Sequence, residues 1–271
     1  MSGPMFIRLL AFLFATLLLS STAMAAECHG DVPCPLGDRS YHIRLPDGWD
    51  GTSALPVLLH FHGWGRQGSL IVKHQRISGH TRRRGVLLIA PNGLGRSWAF
   101  WDEDSRDVPF AEAVIEDVAK RFPIDRSQIF VSGYSYGAAM AWRYACENGD
   151  GLRALIAVSG TIDQDTPCPQ APAEVRQVYG FSDNVMPFPY GPEGEITYPV
   201  ALWRDAFDCG EARQEGGWFI RSFLTFERLV WDNCVRGGQV VLDVHSGGHF
   251  IPHGWIGWQL DQLMGREPAY P

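Results

Sequence analysis

The sequence lacks several features that mark out whole classes of protein. Beyond its N-terminal segment it has no run approaching the roughly 18 apolar residues that a membrane-spanning helix needs. It has no excess of basic residues, since its formal net charge is −7 at pH 7, and nucleic-acid binding requires a basic face. It has no internal repeat, low-complexity tract or Ser/Thr/Pro-rich linker. These absences argue against a membrane partner, a nucleic-acid partner and an appended polymer-binding module.

The first 25 residues have the pattern of a secretory signal peptide. One positive charge, Arg8, precedes the apolar run 9–19, and Ala23 and Ala25 flank Met24 as small residues do at a signal-peptidase site. The apolar run is too short to span a bilayer comfortably. We predict a signal peptide over residues 1–25, a single catalytic domain over residues 26–271, and secretion to the periplasm or the extracellular space. An uncleaved anchor is the alternative.

All six cysteines lie after the predicted cleavage site. An even number of cysteines in an exported protein favours disulfides over metal ligands. Pairing by order and proximity joins Cys28 with Cys34, Cys146 with Cys168, and Cys209 with Cys234. No Cys-x-x-Cys motif occurs, and only His249 and His253 have a spacing that suits a metal. The sequence therefore predicts three disulfides and no metal site.

Short apolar runs recur along the chain at the spacing of alternating strands and helices. They predict strands at 41–45, 57–61, 86–90, 129–132, 155–159, 175–179 and 240–244. Strands this apolar are buried on both faces, as in parallel sheets. Apolar residues at every fourth position from Phe110 to Phe122 predict an amphipathic helix that ends at Pro123. The pattern predicts an α/β fold, with a mostly parallel central sheet and helices on both faces.

Residues 133–137 read Gly-Tyr-Ser-Tyr-Gly, between a predicted strand and a helical stretch of small residues. In a nucleophile elbow a strand turns directly into a helix and exposes the serine, which leaves no room for side chains two residues to either side. Gly133 and Gly137 meet this requirement. Because the motif Gly-x-Ser-x-Gly often occurs by chance, the prediction that Ser135 is a nucleophile depends on the predicted strand and helix that flank it.

A serine nucleophile needs a histidine as its base, and in this type of fold the histidine comes last along the chain. His249 lies in a glycine-rich loop just after the last predicted strand, at the sheet edge where catalytic groups gather. It is the predicted base. His253 is the alternative, and His245 at the end of the strand is expected to have a structural role.

An acid must orient the histidine. Asp183 follows the predicted strand 175–179 and is the predicted acid. Asp163 and Asp165 follow the preceding strand and are the alternatives, because some hydrolases place the acid there.

Acyl transfer also needs backbone N–H groups directed at the developing oxyanion. One comes from the residue after the serine, Tyr136, and the other from the loop after an early strand. The loop 62–65 contains two glycines that allow close approach of the backbone, and the N–H of Trp64 is the predicted second donor. His60 and His62 are interpreted as packing and hydrogen-bonding groups rather than metal ligands.

Aromatic residues are numerous near the predicted catalytic edge. The chain has 10 tryptophans, and Trp64, Trp98, Trp101 and Trp255 fall in or beside loops at that edge. We expect Tyr134, Trp98 and Trp255 to line a substrate cleft that stacks on an aromatic ring or a sugar. Plain packing is the alternative for the two tryptophans.

Five segments of the sequence have a familiar combination: 56–63, with its His-Gly pair; 90–93, which reads Ala-Pro-Asn-Gly; 107–110; 131–137; and 247–249, which reads Gly-Gly-His. Together they resemble the secreted polyhydroxybutyrate depolymerase and feruloyl esterase family of α/β-hydrolases. The likeness covers roughly residues 38–262. It implies the α/β-hydrolase fold without a large lid, and a serine esterase acting on polyester, hydroxycinnamoyl or acetyl esters. The family's triad falls on Ser135, Asp183 and His249.

Three positions depart from the usual pattern of that family. Tyr136 stands where an asparagine often follows the serine, Tyr179 stands where a histidine often precedes the glycine of the acid loop, and the segment 250–252 replaces a common tryptophan-proline pair. These positions flank the pocket, so they bear on substrate identity more than on reaction type. The missing polymer-binding module favours soluble oligomers or small esters.

The predicted function is hydrolysis of a small-molecule or oligomeric ester through an acyl-enzyme, with no cofactor. The alternatives are acyl transfer or peptide-bond cleavage by the same triad, or a secreted binding protein that kept the scaffold and lost the chemistry. Neither the natural ester nor the oligomeric state follows from the sequence.

Overall fold

A computed structural model of the chain describes residues 28–221 and 224–270. The predicted signal peptide lies outside the described residues. Within these ranges, none of the helices combines the length and the apolar character needed to cross a membrane.

Within the described residues, ten strands form one sheet. They are β1 (Cys34–Leu36), β2 (Arg39–Arg44), β3 (Leu55–Phe61), β4 (Leu87–Pro91), β5 (Ile124–Tyr134), β6 (Ala154–Val158), β7 (Glu174–Gly180), β8 (Arg213–Ile220), β9 (Leu224–Trp231) and β10 (Gln239–His245). Their order across the sheet is β1-β2-β4-β3-β5-β6-β7-β10-β9-β8. The central strands from β4 to β10 are parallel, and the two strands at each edge pair antiparallel.

Six helices accompany the sheet in the part of the chain that the structure describes. They are α1 (Gly68–Ile71), α2 (Ser78–Arg83), α3 (Asp107–Arg121), α4 (Tyr136–Asn148), α5 (Ala201–Phe207) and α6 (Trp255–Leu263), with short 3-10 helices at Leu94–Arg96 and Tyr198–Val200. The predicted amphipathic helix is α3. It ends before Pro123 as expected, because Phe122 has the extended backbone that a following proline favours.

The helices cover both faces of the sheet, as predicted. Alternate residues of β3 enter different cores: Val57 and Leu59 pack in the cluster that contains α3 and α4, whereas Leu58 packs in the cluster that contains α6. Side chains alternate across a strand, so a strand buried on both faces must be apolar at nearly every position. This requirement explains why the seven predicted strands were visible as apolar runs.

Three of the described strands have no counterpart among the predicted ones, and all three lie outside the parallel core. β1 has only 3 residues. Most of β8 is exposed, so it has no apolar run. β9 alternates buried and exposed residues, with Leu224, Phe226 and Arg228 on the buried face. An alternation with a period of two residues is typical of a half-buried antiparallel strand, and it is the pattern from which β9 could have been predicted.

The structure confirms the three predicted disulfides. Cys28 bonds to Cys34, Cys146 to Cys168, and Cys209 to Cys234, and no free cysteine remains among the described residues. The second disulfide joins the end of α4 to the loop before β7.

Asp243 on β10 joins the edge of the sheet to α6. Its fully buried carboxylate accepts hydrogen bonds from Arg228 Nε and Nη2, at 2.8 and 2.7 Å, and from the indole N–H groups of Trp218 and Trp255, both at 2.8 Å. The prediction that Trp255 lines the substrate cleft is therefore wrong. Its side chain is 0% exposed and is oriented toward Asp243, because a buried indole N–H requires a polar partner.

Replacing Asp243 with alanine should lower the free energy of unfolding by about 3–5 kcal/mol, because the guanidinium of Arg228 would stay buried without its counter-charge. Urea denaturation measures this loss. Asp232→Ala is the matched control, since Asp232 also pairs with an arginine but lies on the surface, and its effect should be small. Equal losses in the two variants would contradict the central role of Asp243.

Candidate active site

Ser135 lies in a strand-to-helix turn between β5 and α4. Its φ of 59° and ψ of −125° are unusual for a residue other than glycine, and a conformation of this kind persists only where the surroundings enforce it. The surroundings are backbone. A Cβ atom added to Gly133 would lie 1.9 Å from the carbonyl oxygen of Gly137, and one added to Gly137 would lie 2.1 Å from that of Phe61. Both glycines of the pentapeptide are thus sterically required, as the sequence analysis expected.

Asp183 and His249 are hydrogen-bonded, with 2.6 Å between His249 Nδ1 and Asp183 Oδ2. The other carboxylate oxygen, Oδ1, accepts the backbone N–H groups of Val185 at 3.0 Å and Met186 at 2.9 Å. The Asp183 carboxylate is therefore fixed on both sides. A negatively charged acceptor at Nδ1 keeps the proton there, which leaves His249 Nε2 available to accept a proton.

The alternative residues do not join this pair. Asp163 and Asp165 are exposed and make no hydrogen bond to His249. His253 bonds to the Tyr270 hydroxyl at 2.6 Å. His245 is buried, and its Nδ1 accepts the N–H of Gly247 at 3.0 Å, which is a structural role in the histidine loop.

The loops that carry the acid and the histidine are bonded to each other. They follow β7 and β10, which are parallel neighbours in the sheet. Phe181 N–H donates to His245 O at 2.8 Å, Ser182 N–H donates to Gly247 O at 3.1 Å, and the Ser182 hydroxyl donates to Ser246 O at 2.8 Å. These contacts continue the sheet pairing past the strand ends and set the spacing between Asp183 and His249.

Tyr134 and Met186 connect this pair to the serine. The Tyr134 hydroxyl donates to His249 O at 3.0 Å, and the two rings pack with 4.8 Å between their centroids. The Ser135 hydroxyl points at Met186 Sδ, 3.6 Å away. No hydrogen bond joins Ser135 to His249 within the described ranges, and such catalytic hydrogen bonds are often long until substrate binds. Met186 was not predicted, and its only signal was its position three residues after Asp183.

The two predicted oxyanion donors lie beside Ser135. A Cβ atom added to Gly63 would lie 3.7 Å from Ser135 Cβ, so the loop that presents the Trp64 N–H touches the elbow. Tyr136 is the first residue of α4, where N–H groups lack helical partners. Neither N–H donates a hydrogen bond to another described residue. Both are therefore available to a substrate oxygen.

His62 and Trp98 support the oxyanion loop from below. His62 Nε2 accepts the N–H of Gly93 at 3.0 Å, so its Nδ1 carries the proton and donates to Gly63 O at 2.9 Å. The indole N–H of Trp98 donates to His62 O at 2.7 Å. The expectation that Trp98 lines the cleft is wrong, because its side chain is 1% exposed and packs beneath the loop.

The exposed aromatic residues near the serine are different tryptophans. Trp64 is 70% exposed and Trp101 is 60% exposed. The Trp101 ring packs edge-on against Phe100 and Tyr136. Trp64 follows Gly63 in the loop that touches the elbow, and Tyr136, which Trp101 contacts, directly follows Ser135. These three residues form an aromatic rim on the segments next to the serine, whereas Trp98 and Trp255 are buried in the scaffold.

No group of three or more histidine, cysteine, aspartate or glutamate side chains in the described part of the chain has the arrangement needed to hold a metal ion.

Three buried histidines lie around the site. Burial lowers the pKa of His60 to about 3 and the pKa values of His62 and His245 to about 4, since a charged imidazole is poorly solvated in the interior. All three are therefore neutral in the folded protein at neutral pH.

The free energy of unfolding should decrease as the pH falls from about 6.5 toward 4. In that window the unfolded chain binds protons at these histidines and the folded chain does not, so protonation favours unfolding. Each histidine should contribute roughly 2–3 kcal/mol at pH 4.5, which lies about two pH units below the pKa of a free imidazole. Urea denaturation at pH 7 and pH 4.5 tests this, with His60→Gln expected to reduce the difference. A difference that is the same in His60→Gln and the wild type would exclude His60 as a contributor.

Comparison with known proteins agrees with this geometry. Residues 105–203 match the family model described as Phospholipase/Carboxylesterase. The solved structure of an acetyl xylan esterase from Aspergillus awamori superimposes with a TM-score of 0.62 at 13% identity, over 83% of this chain and 94% of that one. The chain has the α/β-hydrolase fold. The segment that matches the family model includes Ser135 and Asp183.

Two curated relatives are feruloyl esterases by name. The probable feruloyl esterase C of Aspergillus niger is 28% identical over 163 residues, and the match spans 58% of this chain and 60% of the relative. The probable feruloyl esterase C of Aspergillus terreus is 26% identical over 245 residues, which are 86% of each protein. The chain thus spans somewhat less than two thirds of the length of the first relative and most of the length of the second.

Proposed function

We propose that this α/β-hydrolase is a carboxylic ester hydrolase that works through an acyl-enzyme on Ser135. The observation that carries the proposal is the 2.6 Å hydrogen bond between His249 and Asp183, in loops that reach the strained turn at Ser135. The Phospholipase/Carboxylesterase family model and the feruloyl esterase relatives support the same reaction class.

The reaction begins when Ser135 Oγ attacks the ester carbonyl carbon and its proton passes to His249 Nε2. Asp183 stabilises the resulting imidazolium through Nδ1–H. The N–H groups of Trp64 and Tyr136 bind the oxyanion of the tetrahedral intermediate. When this intermediate collapses, the C–O bond to the alcohol breaks and His249 protonates the leaving oxygen. Water then attacks the acyl-enzyme with His249 as base, which releases the acid and restores Ser135.

The proposed substrates are hydroxycinnamoyl or acetyl esters, with soluble polyester oligomers as the third class. The support is the exposed aromatic rim at Trp64 and Trp101, which offers stacking surfaces for an aromatic ring or a sugar. We also propose that the protein is secreted. The predicted N-terminal signal and the three disulfides support an oxidising compartment.

Ser135→Ala should lower kcat/KM for ester hydrolysis by roughly 1,000-fold or more, because removal of a triad nucleophile leaves only binding and oxyanion stabilisation. Activity is measured on 4-nitrophenyl esters of increasing acyl length, methyl ferulate and hydroxybutyrate oligomers. Ser127→Ala is the matched control: Ser127 is an exposed serine in the same strand, and its hydroxyl bonds to Asp125 away from the site. Failure of the wild type on every ester, or full activity of Ser135→Ala, refutes the esterase proposal.

Asp183→Asn should lower kcat by roughly 100- to 10,000-fold, since an amide at this position no longer stabilises the imidazolium and favours the wrong tautomer. The readout is kcat on the ester that the wild type hydrolyses best, with circular dichroism to confirm folding. Asp163→Asn serves as the control, because Asp163 is exposed and does not contact His249. A larger loss in Asp163→Asn than in Asp183→Asn would move the acid to the earlier loop.

A further inference from the structure

A pocket of about 510 Å³ opens beside the elbow, between the oxyanion loop and the histidine loop. Gly63, Tyr134 and Phe250 form the part of its wall nearest Ser135, and Gly63 approaches Ser135 most closely. Leu70, Ile71, Ile77 and Ile251 supply apolar surface. A pocket of this size and apolar character is typical of small-molecule sites.

Positive charge distinguishes this pocket from the rest of the molecule. Arg66, Lys73 and Arg76 line it, and no aspartate or glutamate does, although the chain as a whole has a formal net charge of −7. Lys73 is neutralised by Asp31, at 2.7 Å. Among the described residues, neither Arg66 nor Arg76 forms an ion pair with a carboxylate.

Arg76 is directed at the catalytic end of the pocket. Its Nη1 donates to Ile251 O at 2.6 Å, so its guanidinium lies against the histidine loop. Arg66 is an exposed residue of the loop between β3 and α1, and it lines the same pocket. Burial and the charge of Asp183 raise the pKa of Tyr134 to about 12, and the charges of Arg66 and Arg76 oppose that shift. The Tyr134 hydroxyl itself bonds to His249 O.

The position of the pocket indicates which half of the ester it holds. His249 must protonate the leaving oxygen, so the alcohol half lies on the side of the histidine. The pocket is on that side, because Tyr134 packs against the His249 ring and because Phe250 and Ile251 directly follow His249.

We infer that this pocket binds a carboxylate on the alcohol half of the substrate, so that the preferred ester is one whose leaving alcohol is a hydroxycarboxylic acid. The inference rests on the proposed ester hydrolysis. Arginine suits the role because its planar guanidinium donates two parallel hydrogen bonds to a carboxylate. The apolar walls hold the carbon skeleton between this charge and the scissile bond.

The test uses two acetyl esters of nearly equal shape, 3-acetoxybenzoate and 3-acetoxybenzamide. The meta position keeps the carboxylate from attacking its own ester. The wild type should prefer the carboxylate, and in Arg66→Gln the ratio of the two kcat/KM values should fall by roughly ten-fold, as expected for loss of a charge-assisted contact. Arg66→Lys should retain part of the preference. Added salt should weaken the preference in the wild type.

Arg236→Gln is the matched control. It removes the same charge from an exposed loop between β9 and β10, at the opposite end of β10 from His249. The ratio should be unchanged in this variant. Arg76 also donates a hydrogen bond to Ile251 O, so removal of its charge would disturb the histidine loop as well. The charge is therefore removed at Arg66, and at Arg76 only the charge-conserving change Arg76→Lys is made.

Two failures are distinguishable. If the wild type hydrolyses the amide as well as or better than the carboxylate, or if Arg66→Gln and Arg236→Gln change the ratio equally, the carboxylate pocket is refuted while ester hydrolysis stands. If the wild type hydrolyses neither these esters nor those used for Ser135→Ala, the proposed function fails and the inference fails with it. Competitive inhibition by 3-hydroxybenzoate that exceeds inhibition by 3-hydroxybenzamide supports the inference from the product side.

Discussion

The hydrogen bond between His249 and Asp183 is the contact on which the candidate site depends, and it is a consequence of sheet pairing. β7 and β10 are distant in sequence but adjacent and parallel, so their carboxyl ends emerge side by side. Three further hydrogen bonds join the loops beyond those ends. A side chain placed by so many backbone contacts loses little additional freedom when it binds its partner, which is what preorganisation of a catalytic pair means physically.

The second constraint is the close packing around the elbow, which is maintained by neutral polar groups. His62 uses both ring nitrogens to join the oxyanion loop to the loop after β4, and Trp98 bonds to its carbonyl. A charged group there would require solvation that the interior does not provide. The packing around the elbow is therefore sensitive to acid, because the His62 imidazole holds the loop only while the imidazole is neutral. The buried residues Trp98 and Trp255 also give close packing without charge. Each fills space with a large ring and supplies one N–H donor.

The parallel core and the strand-to-helix turn at Ser135 could be predicted because each has a strong local pattern. The candidate acid and histidine came from their order along the chain after Ser135, and the structure brings Asp183 and His249 together. Buried strands are continuous apolar runs, and the elbow requires Gly133 and Gly137 for steric reasons that any sequence must satisfy. The roles of Trp98 and Trp255 were not predictable, because a tryptophan beside a catalytic loop has the same local sequence whether its ring faces the cleft or the core. Only partners far along the chain, His62 and Asp243, decide between the two. Met186 was missed for the same reason.

A basic pocket can attract an anion even though the protein as a whole is acidic, because electrostatic interactions weaken with distance. At physiological ionic strength the Debye length is about 8 Å, so exposed negative charges on the far side of the molecule act only weakly on a substrate inside the pocket. The guanidinium of Arg76 is partly buried and lies against Ile251, where the effective dielectric constant is lower and the attraction for a bound anion is stronger. Arg66 is exposed, so its attraction is more strongly screened. The local charge therefore determines what binds beside Ser135, and the net charge of −7 affects mainly the approach of the substrate from solution. An anionic substrate would approach this protein more slowly than a neutral one and still bind more tightly once it reached the pocket.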